Sequence, residues 1–282
     1  MYYIENEPRE AREARELILR EYGDIEFQEE GHIYTLHGQV IETTISGLGH
    51  RFESRPFDAE AQAVRYAARH GNTPEHWKQV WAANSLRATT LGTKTHEYGE
   101  SLAYVLNGLP ADMILESARS QYDAAAQDIV PSHPKEEAAA LFLKSLPKSY
   151  HLVLNEARVY SGKNPDPARN INELICGTFD MLYWDDGGGD PGKAGFVLLD
   201  YKTNASLTND FSRKFDTRLL SPFEDIYQES LGTYTIQLSA YSMLLEDIGI
   251  KLKGRVLVWL KDDGTYQLVP VADVSERLRR IL

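Results

Sequence analysis

The chain is poor in cysteine: Cys176 is the only one in 282 residues. A lone thiol closes no intrachain disulfide, and it cannot complete a four-cysteine iron–sulfur site. No apolar run approaches the roughly 20 residues that cross a bilayer. The opening residues Met-Tyr-Tyr-Ile-Glu-Asn-Glu-Pro-Arg-Glu lack the basic stretch and apolar core of an export signal. These absences predict a protein of a reducing cytoplasm with no membrane partner. Positive charge is also scarce. Thirty Lys and Arg stand against 42 Asp and Glu, a net charge of −12. That excludes adhesion to nucleic acid through overall basic charge, so any such contact must follow a local track. The length suits one large domain or a core with an added lobe, and no internal repeat is visible.

What the chain does hold is an unusual placement of carboxylates. Cys176-Gly177-Thr178-Phe179-Asp180-Met181-Leu182-Tyr183 carries one acid inside an apolar, strand-like run. A second run, Gly195-Phe196-Val197-Leu198-Leu199-Asp200-Tyr201-Lys202-Thr203, ends in Asp-x-Lys. Strand side chains alternate faces, so Asp200 and Lys202 share a side and Tyr201 takes the other. On adjacent strands, Asp180, Asp200 and Lys202 would form one cluster. Hard oxygen ligands of this kind suit Mg²⁺ or Mn²⁺, and a neighbouring lysine can orient a water or offset phosphate charge. The ordinary alternative for Asp-x-Lys alone is a solvated ion pair. Gly177 tips the balance, because a glycine inside a strand marks close approach of another chain segment or a ligand.

Four further residues join this set. His96 follows Gly92 by one helical turn in Leu91-Gly92-Thr93-Lys94-Thr95-His96-Glu97. Gln237 and Tyr241 lie four apart on an amphipathic helix and so share a face; a buried tyrosine beside a surface glutamine is the alternative. Glu156, within Tyr150–Tyr160, is a surface cross-strand partner for a basic residue or, as the resemblance named next implies, an upstream acid of the cluster.

In chain order, His96, Asp180, Asp200-x-Lys202 and Gln237-x₃-Tyr241 resemble the PD-(D/E)XK nuclease superfamily, and most closely its RecB-like exonuclease branch of phage and mitochondrial genome-maintenance type. Gly92 and His96 match that branch's Gly-x-x-x-His element, and Gly177, Thr178 and Asp180 match its Gly-preceded metal-binding Asp. The one departure is Asp200, where Glu is commoner. The likeness covers roughly residues 92–260.

It implies an α/β protein with a restriction-endonuclease-like core, a mixed central sheet flanked by helices, preceded by an N-terminal hairpin and helical lobe. It implies one or two Mg²⁺ or Mn²⁺ ions held by Asp180, Asp200, His96 and Glu156, with the Tyr201 main-chain carbonyl as an extra ligand. Lys202 would orient the attacking water, while Gln237 and Tyr241 would contact the phosphate backbone or tie the site together. The partner would be DNA, with ends favoured, alongside a single-strand annealing or recombination protein, in a bacterial or phage-infected cell. A structure-specific endonuclease and a non-catalytic DNA-binding partner on the same fold remain the rival expectations. No iron–sulfur cluster is expected.

Along the chain, residues 1–90 read as the β-hairpin and helical lobe, and residues 91–282 as the nuclease core, forming one compact unit. Helices are predicted over 8–22, 59–70, from Thr73-Pro74 to a break or bend at Gly92, then over 93–106, 111–126, 135–146, 233–247 and 274–281. Strands are predicted over 25–28, 32–36, 39–43, 150–160, 173–184, 194–202, 254–261 and 265–270. Gly187-Gly188-Gly189 lacks a following helix and reads as a hairpin tip, and residues 162–170 read as a loop. Residues 204–230 lack periodicity and read as a flap over DNA or a disordered surface loop. Basic residues fall in groups: Arg51, Arg55, Arg65 and Arg69; Arg87 and Lys94; and Lys202, Arg213, Lys214 and Arg218. Lys94, Arg213, Lys214 and Arg218 are the candidate DNA contacts; scattered solvated charge is the alternative.

Overall fold

Strict apolar alternation and strong helix caps place most elements, and tertiary contacts decide the rest. The fold comes from a computed structural model that describes residue 4 and residues 6–162 and 174–282; the predicted loop at 162–170 lies almost entirely outside them. Helix α1 (Arg9–Tyr22) leads into an antiparallel meander of β1 (Ile25–Gln28), β2 (Ile33–Leu36) and β3 (Gln39–Ile41). A short strand β4 (Thr43–Thr44) and one helical turn, α2 (Ile45–Leu48), follow. Next come α3 (Ala59–His70) and the long α4 (Pro74–Leu106), packed against each other. Asp58 caps α3 by accepting the Ala61 amide, and Thr73 caps α4 by accepting the His76 amide, with Pro74 in the first turn.

A one-turn helix α5 (Glu116–Arg119), a two-stranded ladder of β5 (Tyr122–Asp123) and β6 (Asp128–Ile129), and α6 (Pro134–Ser145) precede the main sheet. Its strands are β7 (Tyr150–Tyr160), β8 (Ile175–Asp185) and β9 (Gly195–Lys202), then, after α7 (Asp210–Lys214) and α8 (Ser230–Asp247), β10 (Leu252–Leu260) and β11 (Tyr266–Pro270). Helix α9 (Ser275–Arg279) ends the described chain.

The sheet is mixed. β7, β8 and β9 pair antiparallel, β10 lies parallel to β9, and β11 closes the far edge antiparallel to β10. One apolar layer joins α1, α2 and α8 to Val153, Leu182, Leu198 and Leu257. The other packs α4 and α6 onto Leu152, Met181, Leu199, Tyr201 and Val258. The molecule is therefore α/β, with a mixed sheet between helical layers. Among the described residues no helix is long and apolar enough to cross a membrane.

One local feature positions the site. β7 covers one edge of β8 along nearly its whole length, from Cys176 to Asp185. On the other edge, β9 pairs only with Met181–Asp185, and β4 only with Ile175–Cys176. Residues 177–180 of β8 thus have no strand neighbour on that side. Asp180 sits where the two strands part.

Three predicted elements differ. Gly92 does not end a helix: α4 runs unbroken for 33 residues, so the expected 90/91 boundary falls inside it. One glycine costs only about 1 kcal/mol within a helix, which the flanking turns outweigh. The helix predicted over 111–126 is replaced by α5 and the β5–β6 ladder. Asp123 accepts the amides of Ala125 and Ala126 and turns the chain, and Tyr98 donates to the Ile129 carbonyl. These tertiary ties override the alanine propensity.

Residues 204–230 are neither a free flap nor a disordered loop, but a strap anchored by buried Leu207, Leu219 and Phe223. The Leu220 amide donates to the Phe52 carbonyl, and the Phe52 and Phe223 rings meet edge-on at 4.8 Å. Their irregular spacing left no periodicity to read.

Gly99 and Gly92 of α4 make opposite demands. A methyl on Gly99 would lie 2.7 Å from the Tyr201 ring, whereas one on Gly92 would meet only Thr203 Oγ1, at 3.4 Å. Gly92→Ala is expected to stabilise the protein by about 0.5–1 kcal/mol through helix propensity. In Gly99→Ala, overpacking should exceed that gain and leave a net loss of about 1 kcal/mol. Urea unfolding midpoints of the two variants should move in opposite directions.

Candidate metal centre

Four elements converge on the parting of β8 and β9. Asp180 Oδ2 accepts the Tyr201 main-chain amide at 2.7 Å, so a side chain replaces the ladder bond that the diverging strands no longer make. The same oxygen lies 3.3 Å from His96 Nδ1, which α4 presents from the layer above. His96 Nδ1 is also 3.9 Å from Glu156 Oε1. One ligand atom from each of His96, Glu156 and Asp180 falls within 4.8 Å of the others, a spacing that one cation can bridge. Glu156 has φ +47° in the middle of β7, a left-handed conformation that is strained for a non-glycine residue. Its neighbours pair with Met181 and Phe179, so this twist lies opposite Asp180.

Asp200 and Lys202 complete the cluster. Lys202 Nζ is 2.5 Å from Asp200 Oδ2 and stands 4.3 Å above the Tyr234 ring of α8. Both residues are largely buried. Asp200 Oδ1 is buried and makes no hydrogen bond among the described residues. An orphaned carboxylate oxygen in so dry a place costs free energy unless something binds it.

Tyr201 faces away, as alternation predicts, and its ring meets the His96 ring edge-on at 5.7 Å. Its main-chain amide is the group that Asp180 accepts. Tyr241 is buried and donates to the Thr178 carbonyl at 2.6 Å, within the unpaired stretch of β8. Gln237 is buried one turn before it on the same helix, and the Tyr241 bond ties α8 to the strand that carries Asp180. Gly177 is needed for that approach, since a Cβ there would come within 2.8 Å of the Tyr241 hydroxyl.

The charges are strongly perturbed. Burial alone would lower the His96 pKa, but Asp180 and Glu156 outweigh it and hold the imidazole well above the ordinary histidine value. Burial likewise opposes the Asp180 carboxylate, yet His96, Lys202 and the Tyr201 amide keep its pKa below the usual range. Glu156 is pushed up to about 7, chiefly by burial, with Asp180 adding to it. Asp200 is raised to about 6 by burial and by Asp180, against the pull of Lys202. Burial works against the Lys202 ammonium, but Asp200 and Asp180 raise its pKa further, so it is charged at neutral pH.

Two contributors were not singled out from the sequence. Glu100 lies one turn beyond His96 on α4, and Tyr104 donates to its Oε1 at 2.6 Å. Its pKa is raised by burial first, with Glu97 and Asp180 adding to the shift. The signal was the four-residue step from His96, which places both on one helix face. Tyr234 was legible in the same way, three residues before Gln237.

The candidate DNA contacts after Lys202 behave differently. Arg213 forks onto both Glu229 carboxylate oxygens at 3.0 and 2.9 Å, and Arg218 pairs with Asp216 at 2.6 Å. Both guanidiniums thus pair with carboxylates of the strap. Lys214 lies over the Phe215 ring, at 5.5 Å, and Lys94 is exposed.

Comparison with protein-family models finds no match, and comparison with curated proteins finds none. The chemistry of the cluster therefore carries the functional reading.

The pKa shifts set a testable pH dependence. Asp200 and Glu156 hold their protons to higher pH when folded than the unfolded values of roughly 3.9 and 4.3. The folded state thus binds more protons in that window, and metal-free stability should fall as pH rises from about 4 to about 7. His96 adds to the fall above the unfolded histidine value, because its stabilising charge is lost as pH rises through its raised folded pKa. The depressed Asp180 pKa acts only below about 4. A saturating divalent cation should flatten this slope and, at a hundredfold excess over Kd, add about 2.7 kcal/mol, or roughly 5 °C in Tm. Thermal melts at several pH values, with and without Mn²⁺, measure both effects.

Proposed function

We propose that the protein is a divalent-metal-dependent deoxyribonuclease, with exonuclease action on DNA ends favoured, built on a restriction-endonuclease-like core. The observation that carries this reading is the convergence of His96, Glu156 and Asp180 beside the Asp200–Lys202 pair, from four separate elements. The element order α4, β7, β8, β9, α8, β10, with β10 parallel to β9, supports the fold assignment.

The residues fit a hard divalent cation on their own chemistry. Carboxylate oxygens dominate the donor set, one imidazole joins them, and Asp200 Oδ1 is buried with no partner. Asp180 and Asp200 would hold a first Mg²⁺ or Mn²⁺, and His96 with Glu156 a second or shared ion. When bound, such an ion supplies Lewis-acid polarisation of the phosphodiester and makes water acidic enough to act as a nucleophile at neutral pH.

The chain's own groups do the remaining work. Lys202 is charged, so it acts as a cation and hydrogen-bond donor that orients the attacking water and offsets charge on the phosphate. It is not a base. Tyr234 limits where the ammonium can move. Tyr241 and Gln237 position Asp180 through the Thr178 carbonyl rather than by touching DNA. His96 must shed its proton to become a ligand, so loading the site releases protons.

Lys202→Ala is expected to leave Mn²⁺ binding by calorimetry within about threefold of wild type while cleavage falls by two orders of magnitude or more. Near-wild-type turnover would remove Lys202 from the mechanism. Linear DNA should be degraded in Mg²⁺ or Mn²⁺ and spared in chelator, while covalently closed circles of the same sequence survive both. Cutting of closed circles would move the assignment to an endonuclease. Binding without cleavage would make the protein a non-catalytic DNA partner.

A further inference from the structure

We propose that the α3–α4 hairpin is an arm that holds single-stranded nucleic acid leading to the metal centre, gripping phosphates with arginines and bases with exposed apolar side chains. This rests on the nuclease reading above for its purpose, but not for its test.

The arm is one continuous piece with the site. His96 sits on α4, and at about 1.5 Å per residue the helix extends roughly 30 Å beyond it towards Pro74. Gly92 brings that helix beside Thr203, the residue after Lys202. At the other root, Gln228 of the strap accepts the Arg55 amide at 3.0 Å and donates to the Arg55 carbonyl at 2.7 Å. The base of the arm is thus locked to the segments around the cluster. Further out, every residue from Ala82 to Thr90 is exposed. Nearer Pro74, ring contacts of Tyr66 with Trp77 and Trp81, of His70 with Trp77 and of Phe57 with Trp81, with the Lys78–Glu60 ion pair, hold α4 against α3 and the segment before it. The protein's own core does not account for so long an exposed helix.

Charge says what meets it. Residues 51–94 carry seven Lys and Arg against four Asp and Glu, in a chain of net charge −12. The four acids are occupied. Glu53 pairs with His50, Asp58 caps α3, and Glu60 and Glu75 pair with Lys78. No acid occurs between Glu75 and Glu97. Arg51, Arg55, Arg65, Arg69, Arg87 and Lys94 are exposed, with no acidic partner among the described residues. Several arginines elsewhere are spent internally: Arg213, Arg218, Arg277 and Arg279 pair with carboxylates. Four free cations on the hairpin, Arg65, Arg69, Arg87 and Lys94, with Arg51 and Arg55 in the segment leading into it, complement a polyanion.

The apolar side chains decide between one strand and two. Phe57 and Leu86 are each 69% exposed and Val64 58%, next to or near Arg55, Arg87 and Arg65. Tyr66 is also exposed, its ring stacked on His70 at 4.1 Å. A duplex turns its phosphates outward, buries its base faces, and would leave these side chains in water. A single strand offers base faces for them to cover, at a spacing set by the same backbone the arginines hold.

Anisotropy of a labelled strand of about 20 nucleotides, measured in EDTA so that no hydrolysis is needed, tests this directly. The triple variant Arg65→Gln, Arg69→Gln, Arg87→Gln should bind at least tenfold more weakly near 0.1 M salt, and its log–log salt slope should be shallower by about 2. Phe57→Ala should bind about fivefold more weakly with the slope unchanged. The matching duplex should bind less tightly than the strand and be indifferent to Phe57→Ala. Strand affinity and salt slope equal to wild type in the triple variant overturn the arm. A duplex held as tightly as the strand overturns the single-strand assignment. Wild-type Mn²⁺ affinity shows that the variants remain folded. If the wild-type protein binds the strand through these residues but fails to cut it in Mn²⁺, the nuclease reading falls and the arm stands.

Discussion

The rest of the structure is arranged around one bond, the 2.7 Å contact in which the Asp180 carboxylate accepts the Tyr201 amide. A regular ladder would use a main-chain carbonyl there. Because β8 and β9 part at this point, a side chain enters the sheet and its second role becomes possible: the same oxygen faces His96 across the cleft. Bringing α4 close enough requires Gly99 against the Tyr201 ring, and bringing α8 close enough requires Gly177 against Tyr241. Both glycines serve the position of one carboxylate.

Burying several acids together is costly in a low dielectric. The protein answers partly from within. His96 and Lys202 are internal cations, and Asp180 stays ionised because it faces both. Glu156 and Asp200 are not fully compensated, and their raised pKa values are the residue of that imbalance. The twisted backbone at Glu156 and the orphaned oxygen of Asp200 belong to the same account. Charge repulsion, strain and a missing hydrogen bond thus concentrate at one place, a cost in stability that the proposed cation would offset.

The same division of charge runs through the whole molecule. Acidic residues dominate the sequence, yet those facing the strap are paired and those in the cleft are concentrated. The unpaired arginines of residues 51–94 lie on α3, α4 and the segment leading into them. Net charge alone would argue against contact with nucleic acid. Its distribution leaves room for the proposed local contact, since screening limits each charge to a reach of about 10 Å at moderate salt.

Much of this was readable from residue order. Period-two alternation set β7, β8, β9 and β10, and Thr73-Pro74 and Asp58 announced two helix starts. Asp180 and Asp-x-Lys marked the strands of the cluster because their acids interrupt apolar runs. Local signals stop at distance. Nothing in the chain around Gly92 shows that α4 continues through it, because helix continuity depends on packing beyond the glycine. The alanines of 111–126 favoured a helix, but Asp123 and the contact of Tyr98 with Ile129 decided otherwise. Arg213 and Arg218 read as free cations until folding placed Glu229 and Asp216 beside them. His96 and Asp180 are more than eighty residues apart, and Glu156 reaches them only through a backbone twist that no propensity forecasts. Sequence alone determined which residue types were at hand and which face each would take, since those follow from the periods of helix and strand. Tertiary structure alone decided which of them meet, because meeting depends on where strands diverge and how closely helices can approach.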